Sequence, residues 1–408
     1  MDAATGCTGK LRHGAEAMSN STTFFWIAIA VLLVAVVVLV WLLWRSSNRI
    51  GRHRGQAVRE RAIPAPPIAD PPVSRQREAT PPLDAARKTH GNVETPKPKP
   101  VGETAPGNLE NSADLSMPAQ TLTQARSWGY QLQNIELPAI EQSPFDLVVI
   151  DYSRDGSDEE AFTPRDLARL KRRAGARQRL VYAYISVGEA ESYRYYWQRS
   201  WKRSLPTWII GENPDWRENF YVRFWDRQWQ HILYGSPNSY IGRIAAAGFD
   251  GIYLDRCDVY EEIGEHHRAI ARERTDIEGD METFVTALSA WTRQTYPGFG
   301  IVMQNAESLL QRVSVRSAID ASAKEELLFG LAGQEKRNTR DEVKQSRNLL
   351  DLMRRDGKAV FVVEYLKKPE LQLEAAGALR SIGYVPYMAR KDRELATLET
   401  KQPEPAAA

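Results

Sequence analysis

Short apolar runs recur along the second half of the chain and alternate with segments of helical periodicity. Eight such runs are rich in β-branched or aromatic residues, and Gly, Asp or Pro turn signals precede most of them. They span residues 127–134, 145–153, 179–188, 249–255, 299–306, 318–328, 359–366 and 384–390. Apolar strands separated by helices are typical of a parallel sheet that is buried on both faces. The pattern predicts the α/β class and a (β/α)8 TIM barrel.

The helical segments carry start signals of their own. Thr163 precedes Pro164, with Asp166 two residues further on, and Thr339 lies three residues before Glu342. Both arrangements predict N-terminal caps. Another segment repeats apolar residues at the spacing of one helix face, namely Met281, Phe284, Val285, Leu288 and Trp291. We interpret that stripe as core packing and not as a cofactor-binding surface.

The front of the chain has a different pattern. After a tail of residues 1–23, residues 24–44 form an uncharged apolar stretch, which has the length of a transmembrane helix. The stretch is longer than the apolar region of a signal peptide and lacks a small-residue cleavage site, which favours an uncleaved single-pass anchor. Six arginines follow it between residues 45 and 61. The positive-inside rule would then place the C-terminal part in the cytoplasm, but large domains translocate despite such a bias, so both orientations stay open.

The remaining boundaries follow from composition. Residues 45–120 are first basic and then rich in Pro, Ala, Lys, Glu and Thr, which predicts a disordered linker because such a segment buries too little apolar surface to fold. The barrel is expected over residues 121–395, followed by a disordered tail at 396–408. The linker would hold the barrel away from the membrane.

Charge and cysteine usage narrow the function. With 54 Lys and Arg against 52 Asp and Glu, the formal net charge of +2 argues against a nucleic-acid partner. Cys7 and Cys257 lie on either side of the apolar stretch and imply no disulfide framework. Adjacent His266 and His267 match no zinc spacing, and no glycine-rich phosphate loop occurs, so we expect neither a metal nor a cofactor.

Aromatic residues are concentrated between Glu189 and Gly248, in the segment that follows the third predicted strand. On a barrel, such a segment lies at the catalytic face, where aromatic rings can stack on sugars. We assign two or three of these rings to ligand contact and the rest to packing. The segment therefore favours a polysaccharide partner.

Carboxylates mark the predicted strand ends. Asp255 closes the fourth strand, Glu325 and Glu326 close the sixth, and Asp258 follows on the loop after the fourth. Glycoside hydrolysis needs two carboxyl groups flanking one bond. Because consecutive strand residues point to opposite faces, only one of Glu325 and Glu326 can face the barrel mouth.

Five segments together resemble the glycoside hydrolase family 114 domain, the endo-α-1,4-polygalactosaminidase-like barrels. They are FDLVVIDYS, YISVGEAESYR, GFDGIYLDRCDVYE, QNAE and DASAKEELLFG, in that order. The resemblance implies a TIM barrel, an extracytoplasmic polysaccharide containing galactosamine or N-acetylgalactosamine, and no cofactor. By position it implies Asp255 as the nucleophile and Glu325 as the general acid/base. In a retaining scheme their carboxyl groups would lie about 5 Å apart.

Further polar residues at the strand ends are predicted to bind the substrate. They are Asp151, Tyr184, Glu189, Asn305, Glu307 and Glu364. An excess of acids would suit a cationic amino sugar. Three alternatives remain open: Asp258 as the nucleophile, a non-catalytic barrel that binds polysaccharide or scaffolds an envelope complex, and a cytoplasmic sugar enzyme.

Overall fold

The computed structural model describes residues 121–173, 178–390 and 392–404. The predicted tail at 1–23, the predicted membrane span at 24–44 and the predicted linker at 45–120 lie outside these residues. Across the described ranges, no helix has both the length and the apolar character that a membrane crossing requires.

Eight parallel strands form the central sheet, and each lies within one of the eight runs predicted from the sequence. The strands are β1 (Trp128–Gln131), β2 (Leu147–Ile150), β3 (Leu180–Ser186), β4 (Gly251–Asp255), β5 (Gly300–Gln304), β6 (Ala321–Glu325), β7 (Ala359–Tyr365) and β8 (Val385–Ala389). Each strand pairs with its neighbour in chain order. The sheet curls until β8 lies beside β1, where the Trp128 indole N–H donates to the Val385 carbonyl over 3.0 Å. The predicted barrel is confirmed as a nearly closed one.

Large aromatic rings fill the barrel interior. The Trp128 ring lies 5.5 Å from Phe361, 5.7 Å from Tyr387 and 6.3 Å from Tyr253, and all four side chains are buried. At the N-terminal end of the strands, Tyr182 lies against β5 so closely that a Cβ on Gly300 would be 1.9 Å from its hydroxyl. Only glycine fits there. The barrel is thus a packed core, and its ligand space must lie at one end.

Ten α-helices connect and cover the strands in the described residues. They are α1 (Leu137–Glu141), α2 (Pro164–Leu170), α3 (Arg227–Leu233), α4 (Tyr240–Ala247), α5 (Val259–His266), α6 (Arg268–Glu273), α7 (Ile277–Thr295), α8 (Val313–Ala318), α9 (Arg340–Arg355) and α10 (Pro369–Ser381). Short 3-10 turns lie at Leu122–Gln124, Arg199–Lys202 and Glu307–Gln311.

The predicted helix signals are confirmed. Thr163 caps α2 and Thr339 caps α9, each as a capping box with the acid three residues later. On α7, the predicted apolar stripe is buried from Met281 to Leu288. Trp291, at the end of that stripe, is half-buried and packs edge-on against Tyr296 at 5.8 Å.

The segment after β3 is an excursion with its own small sheet. Glu189–Glu191, Ile209–Glu212 and Asn219–Val222 form three antiparallel strands. Most aromatic rings of the segment pack together beneath this sheet, as Trp208 does on Trp229 at 5.2 Å. A second, shorter insertion follows β6 as a hairpin of Phe329–Gly330 and Gly333–Arg337.

Residues 396–404, which belong to the predicted disordered tail, pack on the barrel. Leu398 is buried and packs against Gly129 of β1. The Gln402 side chain accepts from the Met388 amide over 2.7 Å and donates to the Met388 carbonyl over 3.1 Å. These bonds satisfy backbone groups of β8 at the seam with β1, which would otherwise be unpaired. Residues 396–404 therefore help to close the barrel.

Candidate active site

The carboxyl ends of the strands surround a cleft of about 720 Å³. Loops after β1, β2 and β8 contribute to its wall, together with the excursion after β3. The charged and polar lining includes Asp151, Tyr184, Glu189, Glu191, Arg194, Asp255, Arg256, Asp258, Gln304, Asn305, Glu325 and Tyr365. A second cavity, of about 570 Å³, lies between the hairpin, α9 and α10, and none of the residues just named lines it.

The amide of Gln304 joins the two predicted catalytic carboxylates. Its Nε2 donates to Asp255 Oδ1 over 2.7 Å and to Glu325 Oε2 over 3.0 Å. Those two oxygens are therefore at most about 5.7 Å apart, the sum of the two bonds, which is compatible with the ~5–5.5 Å between carboxyl groups in retaining glycosidases. The fold brings the ends of β4 and β6 to one point.

Each carboxylate has further donors. The Tyr184 hydroxyl donates to Asp255 Oδ2 over 2.9 Å. Glu325 accepts from the Tyr365 hydroxyl and from Asn305 Nδ2, the latter over 3.2 Å. These bonds orient both side chains toward the cleft.

Burial and mutual repulsion disfavour the state in which Asp255 and Glu325 are both ionised. Desolvation, followed by the charge of Glu325, raises the pKa of Asp255 to about 6. Desolvation also raises the pKa of Glu325, against the opposing effect of the Tyr365 and Asn305 hydrogen bonds. Two adjacent carboxyl groups with raised pKa values favour a state in which the pair holds one proton over the state with two charges.

Glu189 lies at the base of the excursion and is buried. Its carboxylate pairs with Arg256 over 3.0 Å and accepts from Asn213 over 2.7 Å and Asn219 over 3.3 Å. Desolvation raises the pKa of Glu189, and Arg256 opposes that effect. Because Arg256 directly follows Asp255, this ion pair links the excursion to the end of β4.

Asp151 belongs to a buried ion cluster. The guanidinium of Arg194 donates to Asp151 over 2.7 Å and to Glu191 over 2.6 Å. Desolvation would lower the pKa of Arg194, but the two acids raise it, so the guanidinium stays charged. The Tyr193 hydroxyl also donates to Glu191 over 2.6 Å. Asp151 therefore lines the cleft with one oxygen already bonded.

Two predicted substrate-binding residues lie outside the cleft. On β7, Tyr365 points to the mouth, so its neighbour Glu364 points to the outer face. There Glu364 accepts from the Leu328 amide over 2.7 Å and the Phe329 amide over 3.2 Å. Strand alternation therefore places Glu364, predicted to bind substrate, under the hairpin and not among the residues that line the cleft.

Glu307 is likewise removed from the cleft. Its carboxylate pairs with Lys324 over 3.2 Å and accepts from the Ser346 hydroxyl over 2.7 Å. Although desolvation raises it, the pKa of Glu307 is lowered overall by Lys324 and Ser346. Lys324 precedes Glu325 on β6 and so lies on the outer face. Glu307, which was predicted to bind substrate, thus links that face to α9 and is not among the residues that line the cleft.

Other acids near the cleft have distinct environments. Glu326 pairs with Arg393 over 2.5 Å, as a salt-bridged neighbour of Glu325. Desolvation raises the pKa of Asp258 to about 6 and that of Glu261 to about 7. Among the described residues, no group of three or more His, Cys, Asp or Glu side chains is arranged to hold a metal ion.

Four residues outside the predicted set help to build the site: Gln304, Tyr365, Arg194 and Arg256. A position at the end of a strand was a usable signal for two of them. Gln304 closes β5 as Asp255 closes β4, and Tyr365 closes β7. No such signal marks Arg194, because it lies in the irregular part of the excursion.

Comparisons with known proteins give relatives in sequence, a solved structure of similar fold and a family. The chain is 36% identical over 320 residues to an uncharacterised protein of Deinococcus radiodurans, covering 77% of this chain and 92% of that one. It is 34% identical over 307 residues to an uncharacterised protein of Methanocaldococcus jannaschii, covering 72% and 83%. The fold is similar to the glycoside hydrolase domain of PelA from Pseudomonas aeruginosa, with a TM-score of 0.51, 20% identity, and coverage of 67% and 97%. Residues 110–402 match the model of glycoside-hydrolase family GH114, and the chain belongs to that family.

Proposed function

We propose that this protein is a membrane-anchored glycosidase that cleaves an α-linked polysaccharide containing galactosamine or N-acetylgalactosamine, by a retaining two-carboxylate mechanism. The observation that carries the proposal is the shared Gln304 amide, which keeps one oxygen of Asp255 and one of Glu325 at most about 5.7 Å apart, a limit compatible with a retaining pair. Family membership supplies the reaction class.

In the first step, an Asp255 oxygen attacks the anomeric carbon of the bound sugar. The bond from that carbon to the leaving sugar oxygen breaks, and Glu325 gives its proton to that oxygen. The product is an ester between Asp255 and the sugar. The Tyr184 hydroxyl stays bonded to the second Asp255 oxygen and keeps the attacking one directed at the substrate.

In the second step, Glu325 acts as the base. It takes a proton from water, the resulting hydroxide attacks the anomeric carbon, and the ester bond to Asp255 breaks. Both carboxyl groups return to their initial protonation states. The Tyr365 and Asn305 hydrogen bonds to Glu325 support the ionised form that this step requires.

The charge of the cleft favours an amino sugar with a free ammonium group. Ten carboxylates line the cleft against five arginines. A partly dry acidic cleft stabilises a cation more than water does. Hydrolysis of deacetylated polymer should therefore exceed hydrolysis of the fully N-acetylated polymer, and equal rates would remove this part of the proposal.

The membrane assignment rests on residues 24–44. We place the barrel on the extracytoplasmic side, where a polysaccharide substrate is available, with the Pro-rich segment as a spacer. Alkaline phosphatase fused at the C-terminus would be active on that side. An inactive fusion, together with an active cytoplasmic reporter at the same site, would reverse the orientation.

Azide rescue tests the two catalytic roles directly. Asp255→Gly and Glu325→Ala should each lower the hydrolysis rate by at least about a hundredfold. With an activated aryl glycoside, azide should restore turnover in both variants, giving the β-azide from Asp255→Gly and the α-azide from Glu325→Ala. Exchanged products would exchange the roles.

Glu326→Gln is the matched control, because Glu326 carries the same group one residue from Glu325 but pairs with Arg393. It should retain hydrolysis. If the parent protein binds the polymer without cleaving it, the barrel is a binding module and the enzyme proposal fails.

A further inference from the structure

One aromatic ring on the rim of the cleft lacks a structural partner. Trp216 lies at the tip of the hairpin between strands Ile209–Glu212 and Asn219–Val222, and it is 50% exposed. Of the large apolar side chains exposed in the described ranges, two are aromatic, Tyr193 and Trp216, and both line the catalytic cleft. The exposed aliphatic ones, such as Leu331 and Leu373, do not line it.

The other tryptophans of the excursion are used in packing. Trp197 lies 5.2 Å from Trp201, and Trp225 lies 4.9 Å from Phe224. Within the described residues, no ring contact, cation contact or hydrogen bond involves the Trp216 indole. Packing therefore explains the excursion's other tryptophans and leaves Trp216 unexplained.

Unlike Trp216, Tyr193 has another side chain packed over the face of its ring. The Arg194 guanidinium lies over that ring at 5.0 Å, and a Cβ on Gly156 would be 2.4 Å from the ring edge. Its hydroxyl is bonded to Glu191. Trp216 is thus the rim aromatic whose flat face is available.

The hairpin that carries Trp216 is held in place by several hydrogen bonds. The Asn213 amide donates to the Asn219 carbonyl over 2.7 Å, and the Glu218 amide donates to Glu212 over 2.9 Å. Ser192 adds a bond to the Glu218 carbonyl over 2.8 Å. The ring is therefore presented on the wall of the cleft with its face in water, and covering it with the apolar face of a ligand would stabilise a complex.

We infer that Trp216 is a sugar-stacking platform, at a subsite beyond the catalytic centre, for a further unit of the same polysaccharide. The inference rests on the proposed function. The apolar C–H face of a pyranose ring matches an indole face, and aromatic contacts of this kind are available to any hexosamine unit. The same hairpin holds Glu189 through Asn213 and Asn219, so the platform and the catalytic centre belong to one braced unit.

The effect of replacing Trp216 should depend on the length of the substrate. Full-length Trp216→Ala should raise KM for deacetylated α-1,4-linked galactosamine polymer by about tenfold, because a stacking contact is lost. The kcat and KM for a single-sugar aryl glycoside should not change, since that substrate does not reach the rim. Trp216→Phe should retain most of the affinity, and Leu331→Ala, another exposed apolar residue outside the cleft, should behave as the parent does.

Binding to a catalytically inactive background separates this inference from the proposed function. Asp255→Asn protein should bind galactosamine oligomers with a change in tryptophan fluorescence, and Asp255→Asn/Trp216→Phe should bind them with a smaller change. If Trp216→Ala loses nothing on polymer while the parent cleaves it, the platform is wrong and the enzyme stands. If the parent neither cleaves nor binds the polymer, both fail.

Discussion

The hydroxyl of Tyr253 donates a hydrogen bond to Oε1 of Gln304. Tyr253 is fully buried in the barrel interior, 5.1 Å from the Tyr130 ring. Because its oxygen is engaged by this phenol, the Gln304 amide must present its nitrogen toward the cleft. That nitrogen is the atom that bonds Asp255 and Glu325. The aromatic core of the barrel thereby sets the orientation of the group that joins the two carboxylates.

Tyr253→Phe should lower kcat by about tenfold and leave KM nearly unchanged, because one hydrogen bond of about 1.4 kcal/mol no longer fixes the amide. Steady-state kinetics on polymer would measure both parameters. Tyr182→Phe is the matched control, since Tyr182 is another buried barrel tyrosine but lies at the opposite end, against Gly300. A similar loss in both variants would mean that the effect comes from general disturbance of the core.

Gln304→Leu should lower kcat/KM by at least about a hundredfold, because two hydrogen bonds to charged groups are lost together, each worth about 1.5–3 kcal/mol. It should also move the acidic limb of the pH profile upward. Removing a donor from an ionised carboxylate raises the pKa of that carboxylate. A variant that is merely less stable would lose activity at all pH values alike, so an unshifted profile would contradict this role of Gln304.

In the proposed active form Glu325 holds the proton, so Asp255 titrates beside a neutral group. Glu325→Gln keeps a neutral group at that position, and an aryl glycoside with a good leaving group needs no acid, so the acidic limb of kcat/KM reports Asp255 alone. That limb should lie close to the parent's, above the ordinary range of an aspartate, because burial is the first cause of the raised pKa of Asp255. Glu326→Gln should also leave the limb in place, and a limb that moves to lower pH in Glu325→Gln would mean that Asp255 titrates against a charged Glu325, contrary to the proposed roles.

The strands could be predicted because they follow from local pattern, whereas the choice of Asp255 and Glu325 as a catalytic pair came from the family resemblance and stays a prediction. Each strand is an apolar run of its own, and Asp255 and Glu325 each close one. The sequence does not show the register of the strands, which decides the face to which each side chain points. Glu364 and Tyr365 are neighbours on β7, and only the pairing of β7 with β6 shows that Tyr365 faces the mouth. A shift of one residue exchanges the two faces, so a list of strand-end acids includes outward ones.

Contacts distant in sequence were beyond prediction for a related reason. The bond from Arg194 to Asp151 joins residues 43 positions apart, and the bond from Gln402 to Met388 closes a seam that no pattern in either segment marks. Charge and amide groups of this kind are common on surfaces, where they need no partner. Only the assembled fold shows which of them are buried.

Glu364→Gln should preserve activity and lower stability, the opposite of what a substrate-binding residue would show. The two oxygens of the Glu364 carboxyl group accept from two backbone amides, whereas the Gln side chain has one acceptor oxygen and would leave one of those N–H groups unpaired. We expect a loss of about 1–3 kcal/mol in the free energy of unfolding. Chemical denaturation would measure the loss, and kcat and KM on polymer should stay close to those of the parent.

The size of that loss should depend on pH in a defined direction. Burial raises the pKa of Glu364 to about 8, above the value of about 4.3 expected in the unfolded chain. The folded state therefore binds the proton more tightly, and this contribution to stability is complete below about pH 4.3 and is lost as the pH rises through about 8. Because Gln does not titrate, the difference between parent and variant should be largest in acid and shrink toward pH 8. Exposed Glu374, which pairs with Arg337, provides the control: Glu374→Gln should show no such trend, and a parent–variant gap at Glu364 that widens with pH would refute the assignment.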